Sequence, residues 1–169
     1  MGAPPGHRVD GMIPDLRVGT AFDALRLVPG RPLILGGITI PHPLGLDGDS
    51  DADALLHALA DALLGAAALG DLGRFYPTKP AQGFSSRTIL TEVHARVRAA
   101  GWNLVNCDTT VIAQAPRLAP HLDPMRESIA ALLELPLDRV SVKAKSTDHL
   151  GFLGREEGIA ALATVLLAR

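Results

Sequence analysis

Asp53, His57 and Asp61 stand four residues apart in the run from Ser50 to Asp61, and a helix turning 100° per residue keeps such positions on one face. Leu55, Leu56, Leu59, Leu63 and Leu64 surround them and would bury the opposite side. Two carboxylates flanking an imidazole then form a polar, metal-capable stripe in an otherwise apolar segment. Upstream, Asp23 ends an alternating stretch, and the first candidate site combines its carboxylate with His57. Carboxylate and imidazole are ordinary ligands for Zn²⁺ or a similar ion, but catalytic zinc takes three protein ligands and keeps one position open. Only two are visible. The same residues also read as a helix-capping carboxylate and a hydrogen-bonded histidine.

A second candidate is Lys143-Ala144-Lys145-Ser146-Thr147-Asp148, followed by Gly151-Phe152-Leu153-Gly154-Arg155. Hydroxyls and backbone N–H groups at a strand end, with a glycine-flanked arginine, suit a phosphate or diphosphate. Asp148 could hold a Mg²⁺ bridging such phosphates. Lys, Ser, Thr and Gly also make ordinary exposed turns. The third candidate, Ala113-Gln114-Ala115-Pro116-Arg117-Leu118, offers extended backbone before a proline. Its N–H and C=O groups could read a flat heterocycle, or the segment is simply a strand exit. His94, His121 and His149 have no partner and read as surface residues or caps.

These residues need elements to carry them. Leu16 to Asp23 alternates as a strand ending in its carboxylate. Arg31 to Leu35 and Ile38 to Ile40 flank Gly36-Gly37 as a hairpin. Pro41, Pro43, Gly45 and Gly48 then lead to Ser50, a good N-cap with Asp53 three residues on, so the first helix is expected from about Asp51 to Leu69. Gly70 to Ser85 reads as a surface loop over a site, and Ser86 to Ala100 as a second helix closed by Gly101. Leu104 to Ala115 is strand-like, Pro124 to Leu133 helical, and Val140 to Ser146 a strand; Gly158 to Leu167 fits helix or strand. Interleaved strands and helices indicate an α/β or α+β sandwich, a mixed sheet covered by helices on one face. Its other, apolar face invites self-association.

The chain of 169 residues suits one domain, expected over residues 16–169, with Met1 to Asp15 a loose tail. A net charge of −2 with scattered Lys and Arg leaves no basic stripe for a nucleic-acid backbone. No apolar run reaches membrane-span length, and the first residues resemble neither a secretory signal nor a transit peptide. The single cysteine, Cys107, reads as a buried spectator and fits a reducing, cytoplasmic setting.

Taken together, several blocks resemble the 2-C-methyl-D-erythritol 2,4-cyclodiphosphate synthase family of the non-mevalonate isoprenoid pathway. They are Arg17-Val18-Gly19 with Phe22-Asp23, Ser50-Asp51-Ala52-Asp53, His57 to Gly65, Ala68 to Gly73, Ile112 to Arg117, and Leu150-Gly151-Phe152 with Gly154-Arg155 and Glu157-Gly158. The resemblance implies a homotrimer packed through its sheets, with sites between subunits and the final segment a strand. It implies a small-molecule substrate, 4-diphosphocytidyl-2-C-methyl-D-erythritol 2-phosphate, cyclised with release of CMP. Asp23 and His57 match two of three zinc ligands, and Asp148 matches the acidic residue holding a second ion, Mg²⁺ or Mn²⁺, on the diphosphate. Ser146 matches a hydroxyl assisting the transition state. Asp71 and Gly73 match contacts to methylerythritol, with Ser50, Thr147, Phe152 and Arg155 as further substrate contacts. Lys145 and the segment Ala113, Gln114, Ala115, Pro116, Arg117, Leu118 and Ala119 match the cytidine pocket of a neighbouring subunit.

Two positions depart from the pattern. Leu25 stands where the third zinc ligand, a histidine, is expected, and it has no donor atom. Asp49 stands where a second histidine would orient the reacting phosphate, which places a like charge beside that phosphate. The expectation is therefore a synthase with a weakened metal centre. The alternative is an impaired or inactive trimeric homologue, or an altered variant, that binds cytidine nucleotide or isoprenoid phosphate.

Overall fold

The alternation that begins at Leu16 does not stop at Asp23. In the computed structural model, which describes residues 15–78, 81 and 83–169, strand β1 runs Leu16–Pro29. Its pairing explains the extra length. From Leu16 opposite Ala168 to Arg26 opposite Gly158 it lies antiparallel to β7 (Gly158–Ala168), and Leu27 to Pro29 pair with β4 (Leu44–Leu46). The final segment, undecided by pattern, is thus the strand that the resemblance implies. Asp15, expected in the tail, closes the same sheet end: its carbonyl accepts from the Arg169 N–H and its carboxylate from the guanidinium. The remaining tail, residues 1–14, lies outside the described residues.

Strand β7 is flanked on its other side by β5 (Asn103–Ile112), again antiparallel, and β6 (Val140–Lys145) runs parallel to β5, giving the order β4-β1-β7-β5-β6. A parallel pair needs a crossover. Helix α4 (Leu122–Leu132) supplies it; Pro124 sits in its first turn, where a missing N–H costs no helical bond. A separate hairpin, β2 (Leu33–Leu35) and β3 (Ile38–Ile40), turns at Gly36-Gly37, both at positive φ as that turn requires.

Helix α1 (Ala54–Ala66) packs on β1 and β7 with α3 (Ser86–Ala99) beside it. The expected loop between them contains a short helix, α2 (Leu72–Phe75), and a similar turn, α5 (Gly151–Gly154), follows β6. Helix α1 is buried on nearly every side, so its leucines do not line one face only. It starts three residues later than expected because Asp53, not Ser50, is its N-cap, accepting from the Leu55 and Leu56 N–H groups. Gly19 lets the helix approach: a Cβ there would meet the Ala62 carbonyl at 2.0 Å.

The sheet's other face carries apolar side chains into solvent, with Val18 69%, Phe22 56% and Leu162 41% exposed. This is a mixed α+β fold with helices on one face. Cys107 is buried, which pushes its thiol up to about 12. His94 is also buried, contrary to the surface reading, because it shares the inward face of α3 with Leu90 and Val97. No helix among the described residues is long and apolar enough to cross a membrane.

Candidate active site

Asp23 on β1 and His57 on α1 converge. The Asp23 Oδ2 lies 3.3 Å from His57 Nδ1, at the wall of a cleft of about 270 Å³ also lined by Leu25, Asp49, Ser50, Gly73 and Tyr76. On the far side of the ring, Nε2 lies 2.9 Å from Ser86 Oγ and 3.1 Å from Ser50 Oγ. Ser86 spends its own proton on Asp51, whose carboxylate also accepts from the Ser86 N–H. The Ser86 oxygen is therefore left to accept from Nε2, while Asp23 accepts from Nδ1. Both ring nitrogens donate, which is the pattern of an imidazolium. Burial pulls the imidazole down, but the Asp23 hydrogen bond and the charges of Asp23, Asp53 and Asp51 outweigh it, and the net shift is upward.

The polar stripe expected along α1 is divided among three tasks. Asp53 is fully buried and accepts from Gly36 and Gly37 as well as from its own helix, so it ties the hairpin to α1 instead of facing the cleft. Burial pushes its carboxyl up to about 6, against the pull of those backbone donors. Asp61 accepts from the Leu72 N–H at 2.7 Å, which anchors α2 and sets Gly73 in the cleft wall. Only His57 meets the cleft. Asp71 caps α2 by accepting from the Arg74 N–H.

Ser50, expected as a helix cap, instead holds the ring, with its Oγ accepting from the Ala52 N–H. Ser86 and Asp51 were not among the sequence candidates. Their signal was a serine opening α3 and an acidic residue just before α1, a pairing that only the tertiary contact between the two helices makes visible.

The other two candidates meet each other. Parallel pairing sets Ile112 opposite Lys145, and the Ala113 N–H donates to the Lys145 carbonyl. The chain then turns through Asp148 and His149, both at positive φ, with Ser146 Oγ donating to Asp148 and Thr147 Oγ1 to the Leu150 carbonyl. Gln114 Oε1 accepts from the His149 N–H, so the strand exit and the Ser146 loop are joined. Ala113 and Leu118 are buried, and the Ala113 N–H is not free to read a ligand; Gln114, Ala115 and Pro116 are partly exposed, and Arg117 and Ala119 are exposed. Arg155 pairs with Glu157 at 2.6 Å, and Phe152 lines a groove with Leu25 and Arg26. Within one chain, Ser146 and Asp148 line no part of the Asp23–His57 cleft. Strands β1 and β6 are three strand spacings apart, about 14 Å.

Two ligands bound at 2.0–2.1 Å in a tetrahedron are about 3.3 Å apart, and Asp23 and His57 share that spacing, but their contact is an ion pair whose Nδ1 proton a cation would have to displace. The third is missing from the set: Leu25 shares their side of β1 and ends in hydrocarbon, and among the described residues no three His, Cys, Asp or Glu side chains group closely enough to hold a metal ion. These residues do not compose a three-ligand zinc centre.

Sheet, helices and cleft define an α+β enzyme that sets a carboxylate–imidazole pair in the wall of a largely apolar cleft. The model of the YgbB family matches residues 16–168, and the chain belongs to that family. It is 59% identical over 157 residues, 92% of this chain and 99% of the relative, to the 2-C-methyl-D-erythritol 2,4-cyclodiphosphate synthase of Paraburkholderia phymatum. It is 60% identical over 157 residues, 92% of this chain and 97% of the relative, to that of Burkholderia thailandensis. A solved structure of a synthase so named superposes with a TM-score of 0.82 at 40% identity, covering 89% of this chain and 99% of that one. A CDP-bound form gives 0.82 at 38% with the same coverage. A bifunctional IspDF from Campylobacter jejuni gives 0.87 at 40%, this chain covering 42% of that longer one.

Proposed function

We propose that the chain converts 4-diphosphocytidyl-2-C-methyl-D-erythritol 2-phosphate to 2-C-methyl-D-erythritol 2,4-cyclodiphosphate and CMP. An oxygen of the 2-phosphate forms a bond to the β-phosphorus, the bond from that phosphorus to the bridging oxygen breaks, and CMP leaves with that oxygen. The reaction needs positioning and charge neutralisation more than a protein nucleophile. The convergence of Asp23 and His57 in a cleft, on a chain matching synthases along nearly its whole length, carries the reading. No observation favours the inactive alternative.

His57, clamped by Asp23 on one side and two serines on the other, offers a fixed positive edge to developing phosphate charge. Asp71, Gly73 and Ser50 would meet the methylerythritol end. Ser146, Thr147, Asp148, Lys145, Phe152, Arg155 and the 113–119 segment would serve the diphosphate and cytidine from a neighbouring subunit. That division fits a homotrimer packed through the exposed Val18, Phe22 and Leu162 face. A zinc-like ion would bind Asp23 and His57 only by displacing the Nδ1 proton and so would be held weakly, and Asp148 would meet Mg²⁺ or Mn²⁺ on the diphosphate. We place the enzyme in the cytoplasm, on the strength of its single buried thiol.

Release of CMP from this substrate by purified protein with Zn²⁺ and Mg²⁺ is the test. Turnover is expected, increased in the Leu25→His, Asp49→His double variant. No CMP from either protein would refute the reading.

A further inference from the structure

Short helix α2 is a wall with two sides. Leu72, Gly73 and the following Tyr76 line the Asp23–His57 cleft, whereas Arg74 and Phe75 line a separate groove of about 350 Å³ with Leu69 and with Arg96 of α3. Leu69 and Phe75 pack against the hydrophobic core and give this groove an apolar side. The two arginines give it charge, and no carboxylate is among its described lining residues. The acidic neighbours that could neutralise them are occupied elsewhere. Asp71, three residues before Arg74, caps α2 through the Arg74 N–H, and Glu92, one turn before Arg96 on α3, accepts from the Tyr76 hydroxyl. Neither guanidinium has a hydrogen bond or ion pair to a described residue. Two like charges lining one groove repel, and a bound anion relieves that cost.

We propose that this groove is a second ligand site, which takes a small phosphomonoester with its dianion between Arg74 and Arg96 and its apolar body on Leu69 and Phe75. Two guanidinium forks match a group that carries two charges and three acceptor oxygens better than they match a carboxylate. The volume is that of a small-ligand pocket. Helices α2 and α3 both pack on α1, on the helix side of the sheet, so the groove stays open when the exposed Val18, Phe22 and Leu162 face is covered. None of its residues is shared with the cleft, and the site stands apart from the synthase reading.

Calorimetric titration with phenyl phosphate, inorganic phosphate and benzoate tests this, using wild type, Arg74→Gln, Arg96→Gln and, as a control in the cleft, His57→Ala. Phenyl phosphate should bind wild type more tightly than either other probe. Its affinity should fall roughly tenfold or more in each glutamine variant, the scale of losing a charge-assisted hydrogen bond, and stay unchanged in His57→Ala. Both arginines are exposed, so circular dichroism of the glutamine variants should be that of wild type. A wild-type crystal soaked in phenyl phosphate reads the site without any variant, and the phosphate should lie between Arg74 and Arg96. No binding to wild type, equal binding to wild type and both glutamine variants, or phosphate in the cleft alone overturns the site. Benzoate or inorganic phosphate binding as tightly as phenyl phosphate overturns the assignment of a phosphomonoester with an apolar body.

Discussion

A histidine in an apolar helix can be a satisfied core residue or a working group, and His57 has both nitrogens hydrogen-bonded yet lines the cleft. Asp23 takes one, and Ser86 and Ser50 take the other, while the ring edge lines the cleft. His57→Ala is expected to lower CMP release by roughly 10²-fold or more, the scale of losing one oriented charge-stabilising donor. Urea unfolding of the same variant should separate that loss from any change in stability. Residue type and position singled out Asp23 and His57 as a pair, and the structure brings them to 3.3 Å. The fates of Asp53 and Asp61 were not legible, because spacing fixes which face a side chain shares and not which backbone donors arrive from other segments. Asp53 shows the consequence in its titration. Burial raises its carboxyl from 3.8 to about 6 in the folded state. A raised folded pKa means the fold binds the extra proton, so this residue's contribution to stability is fully present below about 3.8 and is lost as pH rises through about 6. The stability difference between wild type and Asp53→Asn, measured by urea unfolding, should therefore shift in favour of wild type on going from neutral pH to the pH 4–5 range. A difference independent of pH would contradict the assignment.

At the scale of elements, the hairpin at Gly36-Gly37, helix α3 and strand β6 follow from local pattern, since turn chemistry and periodicity agree there. Strand β1 outruns its own pattern because β7 and then β4 offer partners past Asp23. The ambiguity of β7 has a physical source: an alanine-rich apolar run is indifferent to helix or strand until neighbours on both sides supply ladder bonds. Gly19 ties the sheet to the helix bearing His57. Its missing side chain admits the Ala62 carbonyl and Ala66, so Gly19→Val must push β1 from α1. A loss of about 3 kcal/mol in urea unfolding is expected, as for overpacking of a tight contact, with activity falling further because the Asp23–His57 spacing widens.

At the scale of the molecule, the candidate residues fall at two separate sheet positions, and an apolar face is left open. Val18, Phe22 and Leu162 exceed 40% exposure there, which a lone subunit gains nothing by presenting to water. Phe22→Asp adds charge to that face without touching the core. Under the proposed trimer packing it should give monomers in light scattering and abolish turnover, while the far-ultraviolet circular dichroism stays that of the folded chain. The expectation of association rested in the sequence on an unpartnered strand face, and no spacing rule specifies the symmetry that would close it. The most direct test of the whole account is phosphorus NMR of the product made from 4-diphosphocytidyl-2-C-methyl-D-erythritol 2-phosphate. The account predicts one CMP for each 2,4-cyclic diphosphate formed, dependent on His57 and Asp23. Unchanged substrate, or an open-chain phosphate from simple hydrolysis, would contradict it.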